Sequence, residues 1–256
     1  MTNRYVVGGI AFTADELLEG LDTDGFADAE LRVRFVDDGG MRFADRRDAR
    51  RLAGPVATSG AIAPTTCECW LPALAKDPNQ RGWQLRQMAP IFGAALGRLV
   101  LHASATEIRG AVVGFIGESG AGKSTLARSL ADGGHALAGD DLLPVRFTPT
   151  AASPVGHHLS PLRSLFLLNR TGTRDVRSER REPLQALRAL IENGFGEHGD
   201  PDAWAFQFDA YHRLAEAVPV FTLTIPDDID ALPGVRDALV ELVGGDRRES
   251  STGGTA

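Results

Sequence analysis

Gly117-Glu118-Ser119-Gly120-Ala121-Gly122-Lys123-Ser124-Thr125 fits, at every fixed position, the phosphate-loop pattern of a glycine, four free positions and then Gly-Lys-Ser/Thr. Three glycines let the main chain wrap closely round an anion. Successive N–H groups and the N terminus of the following helix then point at a β-phosphate. Lys123 would bridge the β- and γ-phosphates and the Ser124 hydroxyl would sit on Mg²⁺. The whole loop, Gly117 through Thr125, is therefore read as the binding site of a nucleoside triphosphate, ATP.

The flanks supply the context this pattern needs. Ala111-Val112-Val113-Gly114-Phe115-Ile116 is a short apolar run rich in β-branched residues and reads as a buried strand. Thr125 to Ala131 repeats apolar residues at helical spacing and stops at Gly133-Gly134, a left-handed helix cap. The next strand, His135 to Gly139, runs directly into Asp140-Asp141. Two adjacent carboxylates beside a metal-bound triphosphate can divide the labour, one holding Mg²⁺ through water and the other taking the proton from an attacking hydroxyl. An Asp-Asp pair also caps elements or turns chains, but here it stands at the C-terminal end of a strand, where ligands of open α/β sheets gather.

Leu101-His102-Ala103-Ser104-Ala105-Thr106-Glu107-Ile108, then Gly110 and the glycine loop, then Gly134-His135-Ala136-Leu137-Ala138-Gly139-Asp140-Asp141, resembles the HPr kinase/phosphorylase superfamily over residues 99 to 146. A weaker echo continues through residues 161–168 and 218–223 as later core strands. The resemblance implies an α/β fold of the phosphoenolpyruvate-carboxykinase-like, HPr-kinase-like kind, a mixed sheet in which the phosphate loop follows an antiparallel hairpin. Leu99 to Ile108 would be its first strand, Arg109-Gly110 its turn and Ala111 to Ile116 its return. It further implies that His102 lies near the reaction centre, that Asp140 is the general base and that Asp141 sits closer to the metal.

The downstream glycine- and glutamate-containing signature of bona fide HPr kinase/phosphorylases, and their long N-terminal domain, are not found. The closer likeness is to stand-alone HPr kinase-like proteins encoded with modified-peptide pathways, some of which phosphorylate a serine of a lasso-peptide precursor. The expectation is an ATP-dependent, Mg²⁺-requiring serine kinase acting on a peptide or small protein. Asp140, tuned by His102, would accept the proton, Lys123 would neutralise the moving phosphoryl group, and Ser124 and Asp141 would hold the metal. Two other readings stay open: a small-metabolite kinase of the shikimate- or gluconate-kinase type, and a non-catalytic ATP-sensing module.

Composition bounds the partners. The 256 residues carry 27 basic and 34 acidic side chains, a net charge of −7, which disfavours broad binding to nucleic acid or anionic membrane. No apolar stretch reaches the ~18 residues of a membrane span, and the N terminus shows no signal-peptide pattern, so a cytoplasmic protein is expected, with self-association left open. Cys67 and Cys69 form a lone C-x-C and read as reduced thiols.

Three regions follow. Residues 1–95 form a small β-rich region with a linker and a helix, 96–243 the nucleotide-binding domain and 244–256 a disordered tail. In the first, Leu31 to Phe35, the Asp37-Asp38-Gly39-Gly40 turn and Met41 to Phe43 make a hairpin signal, with Arg32 and Arg34 on a solvated face. Residues 54–78 read as an irregular connection and 83–97 as a helix bent or restarted at Pro90. In the second, 169–182 holds Arg170, Arg174, Arg177, Arg180 and Arg181 in what reads as a mobile polar loop, either a lid over the reacting group or plain surface. Helices are expected over 183–193, 201–217 and 228–243, and a strand over 218–225.

Overall fold

The computed structural model describes residues 3–7, 10–14, 31–36, 50–52, 60–63, 68–72, 89–90, 92–94, 96–148, 151–154, 160–195 and 201–249. The chain divides into two compact units, Met1–Leu101 with Pro144–Arg146 and Phe195–Tyr211, and His102–Leu143 with Phe147–Gly194 and His212–Ala256.

In the first unit, β1 (Asn3–Val7), β2 (Ile10–Ala14), β3 (Leu31–Val36), β4 (Arg50–Leu52), β5 (Gly60–Ala63) and β6 (Glu68–Pro72) form one sheet in the order β1-β2-β3-β6-β5-β4. The expected hairpin from Leu31 is not how β3 pairs. Both its edges are taken by parallel strands, β2 on one side and β6 on the other, and residues 41–43 lie outside the described residues. Strands β5 and β6 fall inside the stretch expected to be an irregular connection. Gly60-Ala61-Ile62-Ala63 has a single β-branched residue, so its strand state comes from antiparallel pairing with β4 and β6 rather than from propensity. Cys69 sits in β6 opposite Val33 and Ile62, and Cys67 lies outside the described residues. Of the helix expected over 83–97, residues 89–90 and 92–94 are helical; 83–88, 91 and 95 lie outside the described residues. β7 (Leu99–Leu101) closes this part of the chain.

The second unit is a mixed α/β body. Its strands are β8 (Ser104–Ile108), β9 (Ala111–Ile116), β10 (Ala136–Gly139), β13 (Leu162–Thr171), β14 (Arg177–Arg180) and β15 (Val220–Pro226), in the order β10-β8-β9-β13-β15-β14. β12 (Ala152–Pro154) stands outside that sheet, as does β11 (Leu143–Phe147), whose residues Pro144–Arg146 belong to the first unit. Helix α1 (Lys123–Asp132) follows β9, α2 (Pro183–Glu192) precedes β15, and a 3₁₀ turn, Ile229–Ala231, leads into α4 (Leu232–Glu249); α3 (Pro201–Ala217) is divided, its residues up to Tyr211 belonging to the first unit and the rest to the second. No described helix is long and apolar enough to cross a membrane.

Every residue of β9 is buried, as befits a central strand covered on both faces. β9, β13 and β15 run parallel in register, which sets Phe115, Phe166 and Phe221 side by side with ring centroids 6.2 and 5.5 Å apart. Each such pair adds about 0.5–1.5 kcal/mol beyond its area. Helix α1 buries Lys123, Leu126, Ala127 and Leu130, the i, i+3, i+4, i+7 stripe, and its three apolar members join Val235, Leu239 and Val243 of α4 in one core with these strands. The α1 stop is a Schellman cap: His135 N–H donates to Leu130 O and Gly134 N–H to Ala131 O, at 3.1 and 2.9 Å.

The expected first strand over 99–108 is two strands, broken at His102 and Ala103. The hairpin ladder starts at Ser104 opposite Phe115, and continuing its register would set His102 opposite Gly117, where the partner chain has already left the sheet for the glycine loop. Arg109 and Gly110, at φ 53° and 74°, make the two-residue turn with both central residues left-handed. The Arg-rich segment is not one continuous loop. Asn169 to Thr171 close β13 and Arg177–Arg180 is an edge strand antiparallel to β15, because each finds backbone partners that a count of polar residues does not foresee. Helix α4 continues past Val243, where the sequence pattern ended it, to Glu249; 250–256 lie outside the described residues.

Candidate functional site

The parallel strands β9, β13 and β15 all point their C-terminal ends the same way, delivering the glycine loop, Arg170 and the Asp227-Asp228 corner to one edge of the sheet. Gly120 and Gly122, at φ 83° and 94°, hold backbone conformations that an L side chain adopts only under strain, and Gly122 is the N-cap of α1. Lys123, the first residue of that helix, is only 7% exposed. Its Nζ donates to Gly117 O at 2.8 Å and Glu118 O at 3.0 Å, so the ammonium group lies folded across the loop. Burial pushes the Lys123 pKa down, and the negative charge of Asp141 partly restores it.

The two aspartates leave β10 in different directions. Asp140 accepts from Ser104 Oγ at 2.9 Å and from the Arg128 guanidinium at 2.8 Å, using both carboxylate oxygens. Ser104 Oγ lies 3.3 Å from Ser124 Oγ, which ties Asp140 to the loop hydroxyl. Burial alone would raise the Asp140 pKa, but the Ser124, Ser104 and Arg128 hydrogen bonds and the Arg128 charge outweigh it and hold the carboxyl below its ordinary value. Asp141, at a left-handed φ of 71°, has Oδ1 3.3 Å from His102 Nε2.

The sequence-derived residues thus come together, with one exchange. The sequence reading linked His102 to Asp140 and Ser124 to Asp141; the side chains pair Ser124 with Asp140 through Ser104, and His102 with Asp141. Glu118, Ser119 and Gly120 form the exposed crest of the loop and Thr125 is exposed on the first turn of α1. Three neighbours went unassigned by sequence. Ser104 was quoted only within a strand. Arg128 is four residues after Ser124 in a helix, so the i, i+4 spacing already put it beside the loop hydroxyl. Arg170 was counted among loop arginines, whereas its Nη2 makes an ion pair with Asp227 at 2.5 Å and its side chain lies against Gly122.

Arg128 is 69% exposed on its side chain and Asp140 23%, so the pair is screened and modest in energy, and it adds to the Ser124 and Ser104 hydrogen bonds in lowering the Asp140 pKa. A carboxyl whose folded pKa is depressed adds stability above its unfolded value near pH ~3.9, and that stability is lost as pH falls through the folded value. Arg128→Gln should raise the Asp140 pKa and weaken this acid dependence, read by carboxyl-carbon NMR titration and by Tm as pH falls from about 5 through the unfolded value near ~3.9 and below. An unmoved Asp140 titration would show that the guanidinium does not govern it.

No protein-family model and no curated protein matches this chain. Among solved structures the chain is similar to the Hpr(Ser) kinase/phosphatase from Coxiella burnetii, at 13% identity and a TM-score of 0.33, over 59% of this chain and 97% of that one.

Proposed function

We propose that this chain is an ATP-dependent, magnesium-requiring phosphotransferase that moves the γ-phosphoryl group to the hydroxyl of a serine in a peptide or small protein. One observation carries the reading: a glycine loop opening a helix, a lysine folded into that loop and two carboxylates with separate partners converge at one sheet edge. Phosphoryl transfer needs little else, since the enzyme's part is to neutralise the triphosphate, align the acceptor and take its proton.

The donor set suits Mg²⁺. Among the described residues no group of three or more His, Cys, Asp or Glu could hold a metal, so a cation here would take a hydroxyl, one or two carboxylates, phosphate oxygens and water, which is the preference of Mg²⁺. Ser124 Oγ, with Asp140 beside it through Ser104, would hold the ion, which when bound supplies charge neutralisation of the triphosphate. Asp141 then becomes the proton acceptor, with His102 orienting its carboxylate. The serine oxygen forms a bond to the γ-phosphorus as the bond to the bridging oxygen breaks, the proton passes to Asp141 and ADP leaves. This exchanges the roles expected for the two aspartates, because Asp140 already spends both oxygens on Ser104 and Arg128 and is a weakened base.

The test is incubation with γ-labelled ATP, Mg²⁺ and serine-containing peptides, including peptides with a serine near the C terminus, followed by mass spectrometric localisation of the label. A phosphoserine product is expected. Nucleotide binding without any product would favour a sensing module. ATP turnover stimulated by a sugar or hydroxy acid instead of peptide would favour a metabolite kinase.

A further inference from the structure

Strand β14 ends the six-stranded sheet, with β15 on one side and, among the described residues, no strand on the other. Arg181 N–H donates to Val220 O at 2.8 Å, and the register sets Glu179 opposite Thr222 and Arg177 opposite Thr224. In an antiparallel ladder only alternate residues turn their main-chain groups to a given neighbour. Arg177, Glu179 and Arg181 therefore face β15, and the N–H and C=O groups of Ser178 and Arg180 point outward. Such an edge is a template for another strand, and proteins commonly blunt it with Lys, Pro or a bulge. The run Asp175-Val176-Arg177-Ser178-Glu179-Arg180-Arg181 has neither Lys nor Pro, and β14 pairs without a register shift.

The charges along this edge carry a pattern. Asp175, Arg177, Glu179 and Arg181 are alternate residues and share one face. Arg177 Nη2 is ion-paired to Asp175 at 2.8 Å, and Arg181 Nε donates to Thr222 Oγ1, on the residue opposite Glu179. Their signs run minus, plus, minus, plus, so the strip read backwards is its own complement. An antiparallel pair of copies centred on Ser178 sets Arg177 against the second copy's Glu179, and Asp175 against its Arg181, on both sides of the two-fold axis. That register also makes Ser178 a hydrogen-bonded pair with its own copy and matches Arg180 to Val176, so outward groups meet outward groups. A slip by one residue would bring Glu179 against Glu179 and Arg177 against Arg181, and charge thus fixes the register.

We propose that β14 is a self-association edge, through which two copies of this chain form a two-fold antiparallel dimer with a continuous sheet. The other face of the strand supplies apolar contact. A shallow cavity of about 40 Å³ opens beside Ser178, walled by Phe166, Phe221, Leu242 and Val243, and Leu242 is 40% exposed, so an added strand covers apolar surface there. Because the axis stands normal to the sheet, the parallel strands of the two copies run in opposite directions and their glycine loops lie at opposite ends of the joined sheet.

Sedimentation of the full chain from roughly 1 µM to 1 mM should show a monomer–dimer equilibrium that weakens with added salt. Ser178→Pro removes an N–H directed away from β15, a change that an edge strand tolerates. It should raise the dimer dissociation constant at least ~tenfold and leave Tm in dilute solution unchanged. Arg177→Glu and Glu179→Arg each set like charges across the axis twice, and each alone should weaken the dimer by ~tenfold or more. Mixed together, these two single variants should associate, because every cross-strand pair is again of opposite sign. A chain that stays monomeric at every concentration, a dimer indifferent to Ser178→Pro, or single variants that fail to recombine would overturn the proposal. A monomer whose Ser178 and Arg180 amides are protected from hydrogen exchange only by the serine-containing peptides above would overturn it too, and assign the edge to substrate.

Discussion

Lys123→Ala should lower turnover by at least ~100-fold, the scale for removing one preorganised contact to charge developing in a partly dry site. The buried amino group bridges two loop carbonyls, so it lies where the loop closes on an anion and has already lost much of its water. Alanine leaves the loop amides in place. Nucleotide affinity should fall less than turnover, and a Tm close to wild type would separate lost chemistry from lost folding. Lys123 also predicts a pH signature. Burial holds its pKa below the ordinary lysine range, near 10.4, so nucleotide affinity should decline on the alkaline side earlier than an exposed lysine would allow. Arginine stays protonated throughout that range. Lys123→Arg should therefore abolish the alkaline decline even if it distorts the loop and weakens binding overall. An alkaline decline unchanged in that variant would mean that another group titrates there.

The second unit was legible because its signals are local. A continuous apolar run, a glycine loop, an amphipathic helix and an acidic strand end follow one another between residues 111 and 141, and each is supported in kind by its own neighbours in sequence. The first unit resisted for the opposite reason. β3 is flanked by two parallel strands, and parallel partners need long connections, so the nearest turn signal, Asp37 to Gly40, misdirects any local reading. Strand β14 was hidden in the same way. Arg177-Ser178-Glu179-Arg180 has no apolar alternation, and only the exposed edge of β15 makes it a strand.

At the site, the residues read from the sequence lie near one another, with side-chain partners that differ from the expected ones. Adjacent aspartates are indistinguishable in a string of letters. What separates them is geometry: Asp140 follows the strand direction toward Ser104, while the left-handed backbone at Asp141 swings its carboxylate toward His102. A non-glycine residue held in that conformation costs on the order of 1–3 kcal/mol and is kept where surrounding structure or function demands it.

That separation gives the second large effect. Asp141→Asn should reduce phosphoryl transfer by about 10²–10⁴-fold, the usual contribution of a positioned base, while ATP and Mg²⁺ binding stay near wild type. Asparagine is a fair probe because it tolerates a left-handed φ as aspartate does, so the backbone at 71° need not move. Asp140→Asn should act on the metal instead. With the carboxylate charge gone beside Ser124, and Arg128 left with a neutral partner, the Mg²⁺ concentration for half-maximal activity should rise roughly tenfold, or about 1.4 kcal/mol of lost affinity, and saturating metal should restore much of the rate. His102→Gln should fall between them, lowering turnover while leaving the metal requirement unchanged, since its Nε2 faces the Asp141 carboxylate. The measurement is a Mg²⁺ titration of initial rate at saturating ATP for all three variants. If Asp140→Asn cannot be rescued by metal while Asp141→Asn can, the proton goes to Asp140 after all, and the Arg128 ion pair must then open before transfer.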